Sequence, residues 1–167
     1  MQGTPPEPFL KGRVMKRVFH PGNFFAVPDG TEVSAFLNAT DSTIAEIPSG
    51  VLEGMSIAAG RIAARTRSKI HVHPTVTQVT YVLSGDLTVK MKDPGEAQPY
   101  VLEVATGSAV ISEPGVLLQL CNETERSVEV LYIVTPSYVF QTGEDGQVIH
   151  DDSIQVAEDW AALDLDV

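Results

Sequence analysis

Apolar and polar positions alternate along most of this chain in short runs, as in Leu87-Thr88-Val89-Lys90-Met91. Successive side chains of a strand point to opposite faces, so such runs read as strands with one buried face. Turn-forming pairs punctuate them: Asp29-Gly30, Ser49-Gly50, Gly85-Asp86, Pro94-Gly95, Pro114-Gly115 and Asp145-Gly146. The pattern predicts strands at 31–37, 54–64, 69–73, 76–83, 86–92, 98–104, 109–112, 117–122, 127–135 and 137–141. Many short strands at near-regular spacing predict an all-β sandwich or closed barrel, and a jelly roll suits their number. One helix is predicted near the C-terminus, capped by Ser153, with Val156, Trp160 and Leu163 on one face. Residues 1–23, rich in proline and glycine, read as an N-terminal arm with an edge strand around Val14 to Phe19. Residues 24–141 read as the barrel, and 142–167 as an acidic extension ending in the helix.

Length and charge narrow the classes. A chain of 167 residues makes one domain with a real core. No long uncharged apolar run predicts a membrane span. Glu7, Lys11, Arg13, Lys16 and Arg17 lie among prolines without an apolar block, unlike a secretory signal. A single cysteine, Cys121, excludes an internal disulfide and fits a reducing cytoplasm. The net charge of −11 argues against nucleic acid or an anionic membrane as partner. Nine acids and no Lys or Arg follow Arg126, which reads as a solvated tail.

Candidate chemistry begins at His71-Val72-His73. Two histidines at i and i+2 on a strand share a face and offer a pair of cis metal ligands. Pro74 and Thr75 then turn the chain, so Gln78 on the next strand can face the same pocket. Gly85-Asp86 is expected to close a hairpin that returns through 87–91.

The pattern His71-x-His73-x4-Gln78-x6-Gly85 resembles the first motif of the cupins, with glutamine where most members carry glutamate. A second cupin-like segment runs from Gly107 through Glu113-Pro114-Gly115 to Asn122. In the family this segment supplies a further histidine, where Leu118 stands here. The resemblance spans roughly residues 50–136 and implies a cupin-type jelly-roll barrel, with the arm and a short C-terminal helix appended. It also implies a homodimer, since such extensions often cover the barrel or exchange with a second subunit.

Under that resemblance, His71, His73 and Gln78 are the expected ligands of a divalent metal such as Fe, Mn, Ni, Co or Zn. Gln119 is a further candidate ligand if a bulge near Pro114-Gly115 turns it inward. Arg67 and Lys69 share parity with the histidines and are expected in the substrate pocket, where they would select an anion. Leu118, Leu120 and Asn122 are expected to complete that pocket, and Arg67, Lys69 and Tyr81 are the candidate catalytic groups. Two imidazoles and a neutral amide leave the metal its full double charge, which favours Lewis-acid work. The reading is an enzyme that isomerises, eliminates from or cyclises an organic-acid or polyketide-like substrate. The alternatives are a non-haem iron dioxygenase and a metal-free cupin that binds a small molecule or cyclises it without metal.

Overall fold

A computed structural model of the protein describes residues 18–38 and 50–163. Fourteen strands form among these residues: β1 (Phe25–Ala26), β2 (Glu32–Asn38), β3 (Gly50–Val51), β4 (Ser56–Ile62), β5 (Ile70–Val72), β6 (Thr77–Ser84) and β7 (Leu87–Lys92), followed by β8 (Tyr100–Val104), β9 (Ala109–Ser112), β10 (Leu117–Cys121), β11 (Val128–Thr135), β12 (Phe140–Thr142), β13 (Val148–Asp151) and β14 (Ile154–Ala157). One sheet runs β1-β2-β4-β11-β6-β9, with β3 beside β2. The other runs β14-β5-β10-β7-β8, and β12 and β13 pair as a small ribbon.

Alternation explains the core. On β7, Leu87, Val89 and Met91 are buried while Thr88, Lys90 and Lys92 are not. The same period on β6 buries Gln78, Thr80 and Val82. Ile62, Val82, Leu87, Val89, Met91, Leu118, Leu120, Val128 and Val130 pack between the two sheets, each at most 2% exposed. The architecture is the all-β jelly roll the alternation predicts.

Two local expectations change. Gly85, with φ of 85°, turns the chain at the end of β6, but β6 and β7 belong to opposite sheets. The turn is therefore a crossing between sheets and not a hairpin. The predicted C-terminal helix is mostly strand. Ile154–Ala157 pairs antiparallel with β5, and only Trp160–Ala162 forms a 3-10 turn, capped by Asp159, which accepts from Ala162 N at 3.0 Å. Backbone pairing with β5 satisfies the groups that a helix would have satisfied internally. Val156, 43% exposed, does not share the buried face of Trp160. Of the arm, residues 1–17 lie outside the described residues, and so does most of the edge strand expected around Val14 to Phe19. Phe19 itself packs over Gly50, where a Cβ would stand 2.6 Å from its ring.

Candidate functional site

The turn at Pro74-Thr75 carries the chain from β5 in one sheet to β6 in the other. His71 and His73 therefore face Gln78 across the interior. All three line one cavity of about 100 Å³. The imidazole centroids of His71 and His73 are 5.3 Å apart.

Hydrogen bonding orients the three groups. His71 Nδ1 lies 3.0 Å from the Lys69 carbonyl, which can only accept, so Nδ1 carries the proton of the neutral ring and Nε2 keeps its lone pair. Gln78 Nε2 donates to Thr80 Oγ1 at 3.2 Å, leaving its carbonyl oxygen for the cavity. His73 is 2% exposed, and its Nδ1 is buried without a hydrogen-bond partner. Burial, reinforced by neighbouring His71, lowers the His73 pKa to about 3, so its ring is neutral at ordinary pH.

This donor set fits a metal ion. With metal–nitrogen bonds of about 2.0–2.1 Å, two cis imidazoles sharing one ion have centroids roughly 4.5–5.2 Å apart, close to the observed separation. A buried imidazole nitrogen with no partner is a costly group that a cation would satisfy. Among the described residues, no group of three or more His, Cys, Asp or Glu could hold a metal ion. Two imidazoles and an amide oxygen are therefore the set available, and all three are neutral.

The rest of the lining was mostly not foreseen. Asp29, in the turn between β1 and β2, accepts from Thr31 N and Thr31 Oγ1 through Oδ1, both at 2.8 Å. Its Oδ2 lies 4.0 Å from His71 Nδ1. Tyr138 follows β11; its ring meets that of His73 edge-on at 6.0 Å, and its hydroxyl donates to Asp151 Oδ1. Ser56 Oγ accepts from Tyr138 N at 2.8 Å and donates to Asn38, which fixes the start of this segment. Burial raises the Asp151 pKa even though Tyr138 and the Ser153 N–H both donate to its carboxyl. Burial first, then the Asp151 carboxylate, holds the Tyr138 phenol protonated. Tyr132 leans over Gly60, and its buried hydroxyl has Thr31 as a polar neighbour without making a hydrogen bond of good geometry. In the sequence Asp29 shows only as a turn residue and Tyr132 as a strand filler. Nothing local marks Asp151 or Tyr138.

Several expected site residues lie elsewhere. Gln119 is buried on the opposite face of β10, where it donates to Ser68 O and Glu158 O and accepts from Trp160 Nε1 at 2.9 Å. No bulge turns β10, so the alternation holds. Arg67 is exposed, and Lys69 pairs with Glu158 at 3.1 Å. Both precede β5, which begins only at Ile70, so strand parity with His71 does not carry back to them. Tyr81 faces outward from β6, since Thr80 and Val82 face in. Asn122 braces a loop, donating to the Ile62, Ala63 and Arg126 carbonyls. Leu118 lies in the apolar core directly across from His71 and does not line the cavity, whereas Leu120 does.

No protein-family model matches the sequence, and no curated protein matches it. Solved structures do. The cupin domain of Drosophila melanogaster CENP-C aligns with a TM-score of 0.53 at 14% identity, covering 66% of this chain and 72% of that one. Peruvianin-I, a cysteine peptidase from Thevetia peruviana latex, aligns at 0.58 and 13% identity, covering 83% and 73%. An oxalate oxidase aligns at 0.55 and 21% identity, covering 70% of this chain and 56% of that one. The fold is the cupin type. At these identities the likeness shows architecture alone, and one architecture carries many chemistries.

Proposed function

We propose that the protein is a small cupin enzyme in which His71, His73 and Gln78 hold a divalent metal ion. The observation that carries this reading is the meeting of these three side chains, from opposite sheets, on one cavity where a buried His73 nitrogen lacks a partner. Such an ion supplies Lewis-acid stabilisation of a carbonyl or enolate oxygen, which suits isomerisation, elimination or cyclisation. The protein's own residues do the rest. The Lys69 carbonyl fixes the His71 ring, and Thr80 fixes the Gln78 amide. Phe25, Val27, Val33, Leu120, Val134 and Phe140 supply apolar wall against a substrate body. Neutral ligands bind a cation less tightly than a carboxylate does, so slow loss of metal is expected.

Elemental mass spectrometry of chelator-free protein beside His71→Ala tests the site. Near-stoichiometric metal that disappears in the variant is the expected result. Metal-free protein that gains no stability from Mn, Fe, Co, Ni or Zn would favour the second reading, a metal-free binding or cyclising pocket. That reading is favoured by Leu118, which puts apolar core where a fourth ligand would stand. Substrate-dependent oxygen uptake would instead point to a non-haem iron dioxygenase.

A further inference from the structure

The cavity is rich in acceptors, and most of its donors are already used. His71 Nδ1, Gln78 Nε2, Ser56 Oγ and Tyr138 Oη all donate to protein oxygens. Asp29 and Asp151 each use Oδ1 for two inward hydrogen bonds, and among the described residues neither Oδ2 has a hydrogen bond. Gln155 donates through its amide nitrogen to Ser153, which leaves its carbonyl oxygen open. His73 Nδ1 and Tyr132 Oη are unpartnered, in side chains only 2% and 7% exposed. Among the described residues, no Lys or Arg lines the space. Nearby cations are engaged elsewhere: Lys69 with Glu158, Arg61 with Glu129 and the face of Phe24. Four rings, Phe25, Tyr132, Tyr138 and Phe140, line the same cavity as the two carboxylates.

Carboxylates among aromatic rings attract organic cations twice over, by charge and through the negative ring faces. An anion would meet two like charges, with no Lys or Arg counter-charge among the described residues that line the cavity. We propose that the cavity selects a small organic amine, its ammonium hydrogens taken by Asp29 and Asp151 and its apolar body by the surrounding rings. This names the class of molecule the cavity takes when no ion is bound, and rests on that reading only for this cavity being the site. It replaces the anionic substrate expected from Arg67 and Lys69, neither of which reaches the cavity. Burial first, with the neighbouring Asp29 and Asp152 carboxylates, raises the Asp151 pKa, and a cation beside it would draw it back down.

Benzylammonium, benzyl alcohol and benzoate match in shape and carry charges of +1, 0 and −1. Their binding to chelator-treated, full-length protein, read by ligand-observed NMR, tests the proposal. Benzylammonium is expected to bind tightest, about tenfold or more ahead of benzoate. Asp29→Asn and Asp151→Asn, each checked for an intact melt, should each lower that ratio. General attraction by the net charge of −11 would keep the ratio nearly unchanged when one surface-equivalent charge is removed. Benzyl alcohol or benzoate binding as tightly as the amine, or a ratio unmoved in both variants, would overturn the proposal. Because the assay uses metal-free protein, its result is independent of whether His71, His73 and Gln78 retain an ion.

Discussion

His73 shows how one residue can be expensive to the fold and useful to the site. Its ring is buried beside a second imidazole with an unpartnered nitrogen, and its pKa falls to about 3. In the unfolded chain a histidine titrates near its model value of 6.5. Between those values the unfolded state holds the extra proton, so stability is complete above pH 6.5 and falls as pH drops toward 3. The limit for one proton is about 1.4 kcal/mol per pH unit. Urea melts of chelated protein should therefore show a shallower acid limb for His73→Gln than for the native chain. Identical acid limbs would mean that His73 is solvated in the folded protein. Asp151, with a raised pKa, acts in the opposite direction, which is why the comparison is between variants and not between pH values alone.

At the scale of elements, the C-terminal segment is a wall of the site. β14 extends the second sheet beside β5, and Asp151, Ser153 and Gln155 from this stretch line the cavity. Trp160 locks the segment to the outer face of that sheet through Gln119, with Lys90 5.2 Å from the Trp160 ring centre. Gln119→Leu would leave the indole N–H without its acceptor in a buried setting, a loss of about 1–3 kcal/mol. Thermal melts should show that loss while bound metal stays at the native level. Metal that vanishes with stability intact would instead return Gln119 to the ligand set.

At the scale of the molecule, the outer face of the first sheet carries a row of apolar side chains. Ile111, Val79, Ile133 and Ile57 are successive cross-strand neighbours on β9, β6, β11 and β4, and Ile111 is 59% exposed. Such a row supports the homodimer expected from the sequence, which we propose covers this face. Sedimentation should give twice the 18.0 kDa chain mass, and Ile111→Lys should shift it to the monomer. A native monomer would remove the idea.

The sequence by itself determined β2 and β4 to β11, the alternation of their faces and the choice of the three candidate ligands, because alternation and turn pairs are local signals. Leu87, Val89 and Met91 follow that period, and so do His71 and Gln78. Parity also placed Gln119 on the outer face of β10. It misled at Arg67 and Lys69, because β5 begins only at Ile70 and the stretch before it is not continuous strand. Which sheet each strand joined was decided only in three dimensions. A turn such as Gly85-Asp86 reads alike whether its strands pair or part, and Ile154–Ala157 became a strand because β5 offered it an unpaired edge. Asp29 and Tyr138 are far apart in sequence from the histidines they approach, and so is Asp151, which lines the same cavity. Their place in the cavity follows from strand pairing and long-range packing, which local sequence does not encode.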